Sequence, residues 1–591
     1  MSDSLNKNLG TTEVLWELND LYTGVDAKEI DDDLAACQIE AKALHDEFSG
    51  RVAELSADQI LKVIVRLENL ATERGRLSTY AFLNFTTQTQ NSQATAFLQK
   101  IREENSRISK NTVFFELEWN DLSDSHTAEL LNNDILSHYR HYLSSLRRYA
   151  PHMLSRDEET LLIEISPVGR GAWTLLFEKV MGHLEFGEKK RTEEEVLADL
   201  YHQDQTVRQQ AARDLTDGLN SQLHVLTHIT NTLLADKMID DRLRKYPAWV
   251  SSMNLYNELE DKTVNTLIDT VVSRYDIPKR YYHLKKKILG LKELSDYDRY
   301  APLPDLPSTV VSWKDCRKMV IDSFTEFSSE LGEIAQLFFD KNWIHAPIIP
   351  GKRGGAFAHP CTPDVHPYLM INYTGNLRDV STVAHEMGHG IHQYLSAKLG
   401  YLNSDTTLVL AETASVFAEL LLFKKQLTLL HNHDQKIAFI SQKLESIFAT
   451  VFRQIAMNRF EELSHTGRRQ HGELSAEQLG EYWIQTQQEM FADSVILTKD
   501  YSTWWSYIPH FLSTPGYVYS YAFGELLVLA LYNIYRKDTE WFVPKYIELL
   551  KSGGSSTPYA LVEPFGIDLN SSDFWQGGLE VIDDMLKDIE L

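Results

Sequence analysis

From Asp26 to about Leu200, apolar side chains return every three or four positions among Ala, Leu, Glu, Lys and Gln, with few Pro or Gly. That is the texture of amphipathic helices. The segments Ala57 to Arg74 and Thr95 to Ser109 follow it closely, and Ser56-Ala57-Asp58-Gln59 reads as a helix start with Ser56 as the cap. A second helical series runs from Glu193 to about Leu294, so a boundary is expected near residue 195, and Asp305 to Thr309 with its prolines reads as a connector. The texture changes between Ala346 and Gly375, where Pro347, Pro350, Gly351, Gly354, Gly355, Pro360, Pro363 and Pro367 break any helix. Gly355 to Ala358 and Tyr368 to Asn372 are short apolar runs between these breakers, and they predict a small antiparallel sheet. After Asn376 the helical pattern resumes and holds almost to Leu591, interrupted at Ser552 to Ser556. The expected fold is mainly α with one small antiparallel β-sheet.

Composition narrows the function classes. The chain has 591 residues, 43% hydrophobic and 24% charged, as a folded globular protein does. Its formal charge is −26, which argues against nucleic-acid binding by bulk charge. The longest apolar run, Leu526 to Tyr532, is far short of the roughly 20 residues a membrane span requires. Met1 to Gly24 is polar and acidic and does not read as an export signal. Three scattered cysteines, Cys37, Cys316 and Cys361, cannot build a disulfide framework. A soluble, cytoplasmic protein is expected, with no nucleic-acid or membrane partner and an oligomeric state the sequence leaves open.

The chemistry concentrates in His385-Glu386-Met387-Gly388-His389, inside a stretch from Asn376 to Leu395 that reads as one helix. Residues four apart on a helix share a face about 6 Å apart along the axis, so His385 and His389 can turn two imidazoles to one ion. Zinc accepts such ligands readily. Glu386 would then stand beside the ion without binding it, placed to hold the attacking water and take its proton. With 21 histidines in the chain, random order would produce the pattern only about 0.06 times. Asn376 is the expected N-cap, and Asp379 three residues on completes a capping-box pattern.

A catalytic zinc needs a third protein ligand and one open position. The long metzincin pattern is absent, because Leu395 stands where a third histidine belongs and His392 where a glycine would. Downstream acids are Asp405, Glu412 and Glu419. Glu412 lies in Leu410-Ala411-Glu412-Thr413-Ala414-Ser415, which reads as a buried helix where coordination would account for a carboxylate. Glu419, two turns further, is either a hydrogen-bond partner of a ligand histidine or a member of a surface salt bridge. His392 reads as a structural histidine. An amide hydrolase also needs donors for the developing oxyanion, and His510 followed by Tyr517, Tyr519 and Tyr521 offers a candidate cluster past the Pro515-Gly516 turn.

Together these segments resemble the M3 zinc peptidases, the family of thimet oligopeptidase and oligoendopeptidase F. The similarity is closest to the oligoendopeptidase F branch. Supporting pieces are Trp16 to Tyr22, Gly351-Lys352-Arg353-Gly354-Gly355-Ala356-Phe357, and Asn376 to Val380 leading into the metal helix. The resemblance implies a two-lobed helical zincin-type body with a deep substrate channel. It divides the chain into a helical channel wall, 1–195, and a catalytic region, 196–591, with the zinc helix at 376–395. It also implies one Zn2+ per chain held by His385, His389 and Glu412, with Glu386 as general base and His510, Tyr517 and Tyr521 contacting substrate and oxyanion. Tyr519 could replace either neighbouring tyrosine. The Gly355 to Ala358 strand would bind peptide at its edge, and Cys361 and His366 read as loop residues.

The implied activity is zinc-dependent endopeptidase cleavage of short unfolded oligopeptides. A carboxypeptidase or dipeptidyl carboxypeptidase on a similar helical fold is the alternative, and a catalytically silent peptide-binding scaffold is a third reading.

Overall fold

The computed structural model describes residues 2–166, 168–304 and 310–590; the expected connector Asp305 to Thr309 lies outside them. The chain forms two compact units built from interleaved segments. The first comprises Met1–Ala150, Pro307–Leu429 and Ile534–Ile567, the second Pro151–Leu306, Leu430–Asn533 and Asp568–Leu591. The division expected near residue 195 falls inside the helix Glu193–Asp199 of the second unit.

In the first unit the longest helix, α1 (Ala57–Thr86), starts where the cap motif places it. Ser56 Oγ accepts from the Gln59 amide and Gln59 Oε1 accepts from the Ser56 amide at 2.9 Å, so two of the amides that a helix start leaves unpaired are satisfied. Its apolar face, with Ile60, Val63, Ile64, Leu77 and Ala81, is fully buried against Ile30, Leu34 and Trp119. The same core reaches Tyr368 and packs Phe357 at its margin, which ties the N-terminal helices to the strands.

Those strands are β1 (Ile344–His345), β2 (Phe357–His359) and β3 (Tyr368–Met370), in the order β1-β3-β2. The β2–β3 pair is antiparallel, as the apolar runs predict, but β1 joins β3 in parallel. The sheet is therefore mixed and not purely antiparallel. β1 is only two residues long and carries no alternation that period-2 reasoning could detect. The proline- and glycine-broken loop between β1 and β2 is held by Lys352, whose Nζ donates to the carbonyls of His345, Pro347 and Ile371.

Helix α2 (Leu377–Ser396) follows β3. Asn376 caps it, its side chain accepting from the Asp379 amide at 2.9 Å. Asp379 does not return that bond; its carboxylate accepts from the Thr374 amide at 2.6 Å and secures the preceding turn. Helix α3 (Thr413–Leu429) lies against α2. The two backbones meet at Gly388, where a Cβ would stand 2.5 Å from the Ala414 carbonyl oxygen and 2.6 Å from Ser415 Cα. Only a residue without a side chain permits that approach.

The second unit is organised around Leu215, Ile229, Trp483, Trp504 and Phe511. Helix α4 (Phe452–His471) runs through this core and packs against the helices Leu223–Leu243 and Ala476–Phe491. Asn231 fastens them, donating to the Leu474 carbonyl and accepting from its amide at 2.8 Å each. Helix α5 (Tyr519–Lys537) follows the Pro515-Gly516 turn. Among the described residues no helix is long and apolar enough to cross a membrane.

The Gly388 contact yields a direct test. Gly388→Ala must separate α2 from α3, at a cost of about 1–3 kcal/mol for an overpacked core position. A lowered thermal midpoint is expected, and an unchanged value would show that the helix spacing is not limiting.

Candidate metal centre

Three side chains converge on one point in the first unit. His385 and His389 come from adjacent turns of α2, and Glu412 comes from the junction between the short helix Leu408–Ala411 and α3. Their ligand atoms all lie within 4.8 Å of one another. Nε2 of His385 and of His389 stand 3.5 and 3.4 Å from Oε2 of Glu412. Ligands on a tetrahedral zinc at about 2.0–2.1 Å are roughly 3.3–3.4 Å apart, so the spacing suits that ion, and two imidazoles with one carboxylate are a donor set zinc uses. The imidazole rings stand nearly perpendicular, at 81° with centroids 4.8 Å apart, which allows both nitrogens to point to one position.

Glu412 does not sit inside a continuous buried helix as its apolar neighbours suggested. The helix breaks at this residue (φ −82°, ψ 1°), and its side chain is 38% exposed. The break turns the carboxylate towards the imidazoles. Ser415, in the first turn of α3, donates its hydroxyl to Oε2 of Glu412, the same oxygen that faces the imidazoles, and holds its rotamer.

Glu419 is a partner of the cluster. His385 Nδ1 donates to its Oε1 at 2.6 Å, which assigns the tautomer and leaves Nε2 for the ion. The two alternatives meet in one contact, since this bond to the ring of one of the three donors is also an ion pair when the imidazole is protonated. Burial opposes a charge on His385, yet the Glu419 hydrogen bond and charge, with Glu412 and Glu386 behind them, hold its imidazole up at about 9. Burial also opposes the charge on Glu412, but His389 and His385 outweigh it and bring its carboxyl down to about 2. A field that favours a positive charge on His385 also favours a divalent cation among the same donors.

Glu386 lies beside the three donors without joining them and is buried, with 7% of its surface exposed. Burial raises its carboxyl above the ordinary range, while the two imidazoles pull it back. Strand β2 packs against α2, the helix that carries this candidate base, a contact no sequence motif announces. His392 is also buried but outside the donor set, and burial, followed by the charge of His389, keeps it neutral with a pKa of about 4.

The second unit gathers His510, Tyr517 and Tyr521. Nε2 of His510 lies 3.3 Å from the Tyr521 hydroxyl, and the tyrosine rings meet edge to face at 4.9 Å. Tyr517 stacks parallel to His510 with centroids 6.2 Å apart. Tyr517 precedes α5 and does not share its face as a helical residue, but the turn brings the two rings together all the same. Tyr519 points elsewhere: it is fully buried, and its hydroxyl accepts from Asn257 Nδ2 at 2.9 Å. His366 is a loop residue by position yet firmly packed, stacked on Trp343 at 4.0 Å with Nε2 3.1 Å from Asp20.

Known proteins share sequence and fold with this chain. Residues 199–581 match the model of peptidase family M3, and residues 118–186 match the Oligopeptidase F model. Oligopeptidase PepF of Bacillus subtilis is 26% identical over 556 residues, covering 92% of this chain and 82% of its own. An oligoendopeptidase F homolog of Lactococcus lactis is 23% identical, covering 99% of this chain and 98% of its own. The fold recurs in a solved chain from Chlamydophila abortus (TM-score 0.87, 23% identity, 98% of both chains). It recurs also in oligoendopeptidase-F from Enterococcus faecium (TM-score 0.71, 21% identity, 95% of this chain and 98% of that one). The chain belongs to peptidase family M3, in its oligopeptidase F branch, and is a metallopeptidase.

Proposed function

We propose that this peptidase is a zinc-dependent endopeptidase of short, unfolded peptides, with one zinc held by His385, His389 and Glu412. The observation that carries the reading is the convergence of those three donors at zinc-like spacing, with a buried carboxylate next to them that takes no part in the cage. The chemistry zinc supplies there when bound is Lewis acidity, which makes a water more acidic and polarises a carbonyl. Glu386 accepts the proton of the attacking water and returns it to the leaving amine, which keeps the proton inside the site through both halves of the reaction. Glu419 orients His385 and sustains its basicity through Nδ1.

Two further elements fit a peptide substrate. Among the described residues β2 pairs with β3 on one side only, so its other edge is suited to an extended peptide added as a further strand, with main-chain bonds giving affinity independent of side chains. His510, Tyr517 and Tyr521 are assigned to substrate and oxyanion contacts, supported by the M3 resemblance and by the gathering of their rings. The three cysteines are unpaired, which suits a reducing, cytoplasmic setting.

Cleavage of a mixed library of peptides blocked at both ends, mapped by mass spectrometry with and without chelator, tests the reaction. Internal cuts abolished by chelator are expected; cuts only at free ends would favour a carboxypeptidase, and chelator-resistant cuts would remove zinc from the account. Glu386→Gln should bind zinc with unchanged stoichiometry and lower kcat by about 10²–10⁴, the range general-base catalysis supplies. Wild-type turnover in that variant would dismiss Glu386 as the base. Glu419→Ala should keep the fold and weaken zinc binding by about 10–100-fold, measured by competition with a chromogenic chelator.

A further inference from the structure

Beneath the segment that carries His510, the second unit buries a carboxylate with one protein partner. Glu461 of α4 is 2% exposed, and its Oε1 accepts from the Gly516 amide at 2.8 Å. Its other oxygen, Oε2, has no hydrogen-bond partner among the described residues. A cavity of about 10 Å³ beside it is lined by apolar side chains, Phe511 and Leu512 among them, together with the polar Thr230, Ser464, His465 and Ser506, none of which hydrogen-bonds to Oε2. Burial pushes its carboxyl up to about 8, partly offset by the Gly516 amide. An acid in such a place costs free energy that its one hydrogen bond only partly returns. A polar core residue with a single backbone bond is explained by what that bond holds.

Gly516 is the residue that reverses the chain between His510 and Tyr517. Its φ of +80° belongs to the left-handed region, and an added Cβ would stand 3.2 Å from Val250 Cγ2. The Tyr517 amide donates to the Thr514 carbonyl to close the turn. The direction in which Tyr517 leaves the turn, and so its stacking on His510 and its edge contact with Tyr521, is set at the peptide unit that Glu461 grips. We propose that Glu461 is a positioning residue for the His510–Tyr517–Tyr521 group, fixing the Gly516 turn through its amide. The inference rests on the role assigned to those three side chains above. Glu461 touches no substrate in this account, and a neutral acceptor of the same shape should serve as well as the acid.

Steady-state kinetics on the full-length, zinc-loaded protein tests this with a double-mutant cycle. Glu461→Met fills the space without an acceptor and should lower kcat about tenfold or more, with KM changed less than about threefold. Glu461→Gln keeps the acceptor and should restore kcat to within about threefold of wild type. In a His510→Ala background the Met substitution should have little further effect on kcat. Gly516→Ala, which strains the same turn and leaves Glu461 in place, should reproduce the kcat-selective loss and keeps the test alive if Glu461→Met does not fold. Wild-type kcat in Glu461→Met or in Gly516→Ala, equal damage from Gln and Met, or an undiminished Met effect without His510 would each overturn the proposal. His510→Ala with wild-type kcat would instead overturn the assignment of His510, and the positioning role with it; that result is visible in the single variant.

Discussion

The close approach of α2 to α3 at Gly388 is the constraint on which the rest of the first unit depends. Two histidines on adjacent turns can face one point on any helix, but they become a cage only if a third donor is brought to within about 3.5 Å of both, as Glu412 is. Glu412 lies more than twenty residues further along the chain, so its position follows from the distance between two helix backbones. A side chain at 388 would collide with the Ala414 carbonyl. The helix break at Glu412 and the Ser415 hydroxyl then convert backbone proximity into an aimed carboxylate.

Around that contact the structure supplies charge and support in a definite order. Glu419 fixes the His385 tautomer from α3, so one helix contributes both a ligand-orienting bond and the serine that holds Glu412. The sheet packs β2 against α2, the helix that carries Glu386. His385 and Glu412 are each held by a bond from α3, which is the kind of support that preorganised chemistry requires. The second unit follows the same logic with the Gly516 amide and Glu461.

Much of this was legible in the residues alone, because the strongest signals were local. The His385–Glu386–His389 spacing, the Asn376 cap and the Ser56–Gln59 capping box depend only on helical periodicity and neighbouring hydrogen bonds, and the structure contains all of them. What depended on distant segments was less visible. The parallel strand β1 has two residues and no pattern, so the mixed sheet could not be read. Glu412 was identified from its setting, yet that setting suggested a buried helix where the chain breaks and leaves the carboxylate partly exposed. The interleaving of the two units reflects contacts between segments hundreds of residues apart, which no boundary read from local composition captures. Helical spacing sets Tyr519 apart from Tyr517 and Tyr521, and the Asn257 bond to its hydroxyl is what keeps it from replacing either.

The central claim is the identity of the ion's protein ligands, and a zinc K-edge X-ray absorption spectrum of the loaded protein addresses it most directly. The account predicts one zinc per chain with two imidazole ligands and light oxygen scatterers at about 2.0–2.2 Å, and loss of one oxygen ligand with reduced occupancy in Glu412→Ala. A sulfur shell near about 2.3 Å, absence of imidazole scattering, or a spectrum and stoichiometry unaffected by removal of Glu412 would contradict it.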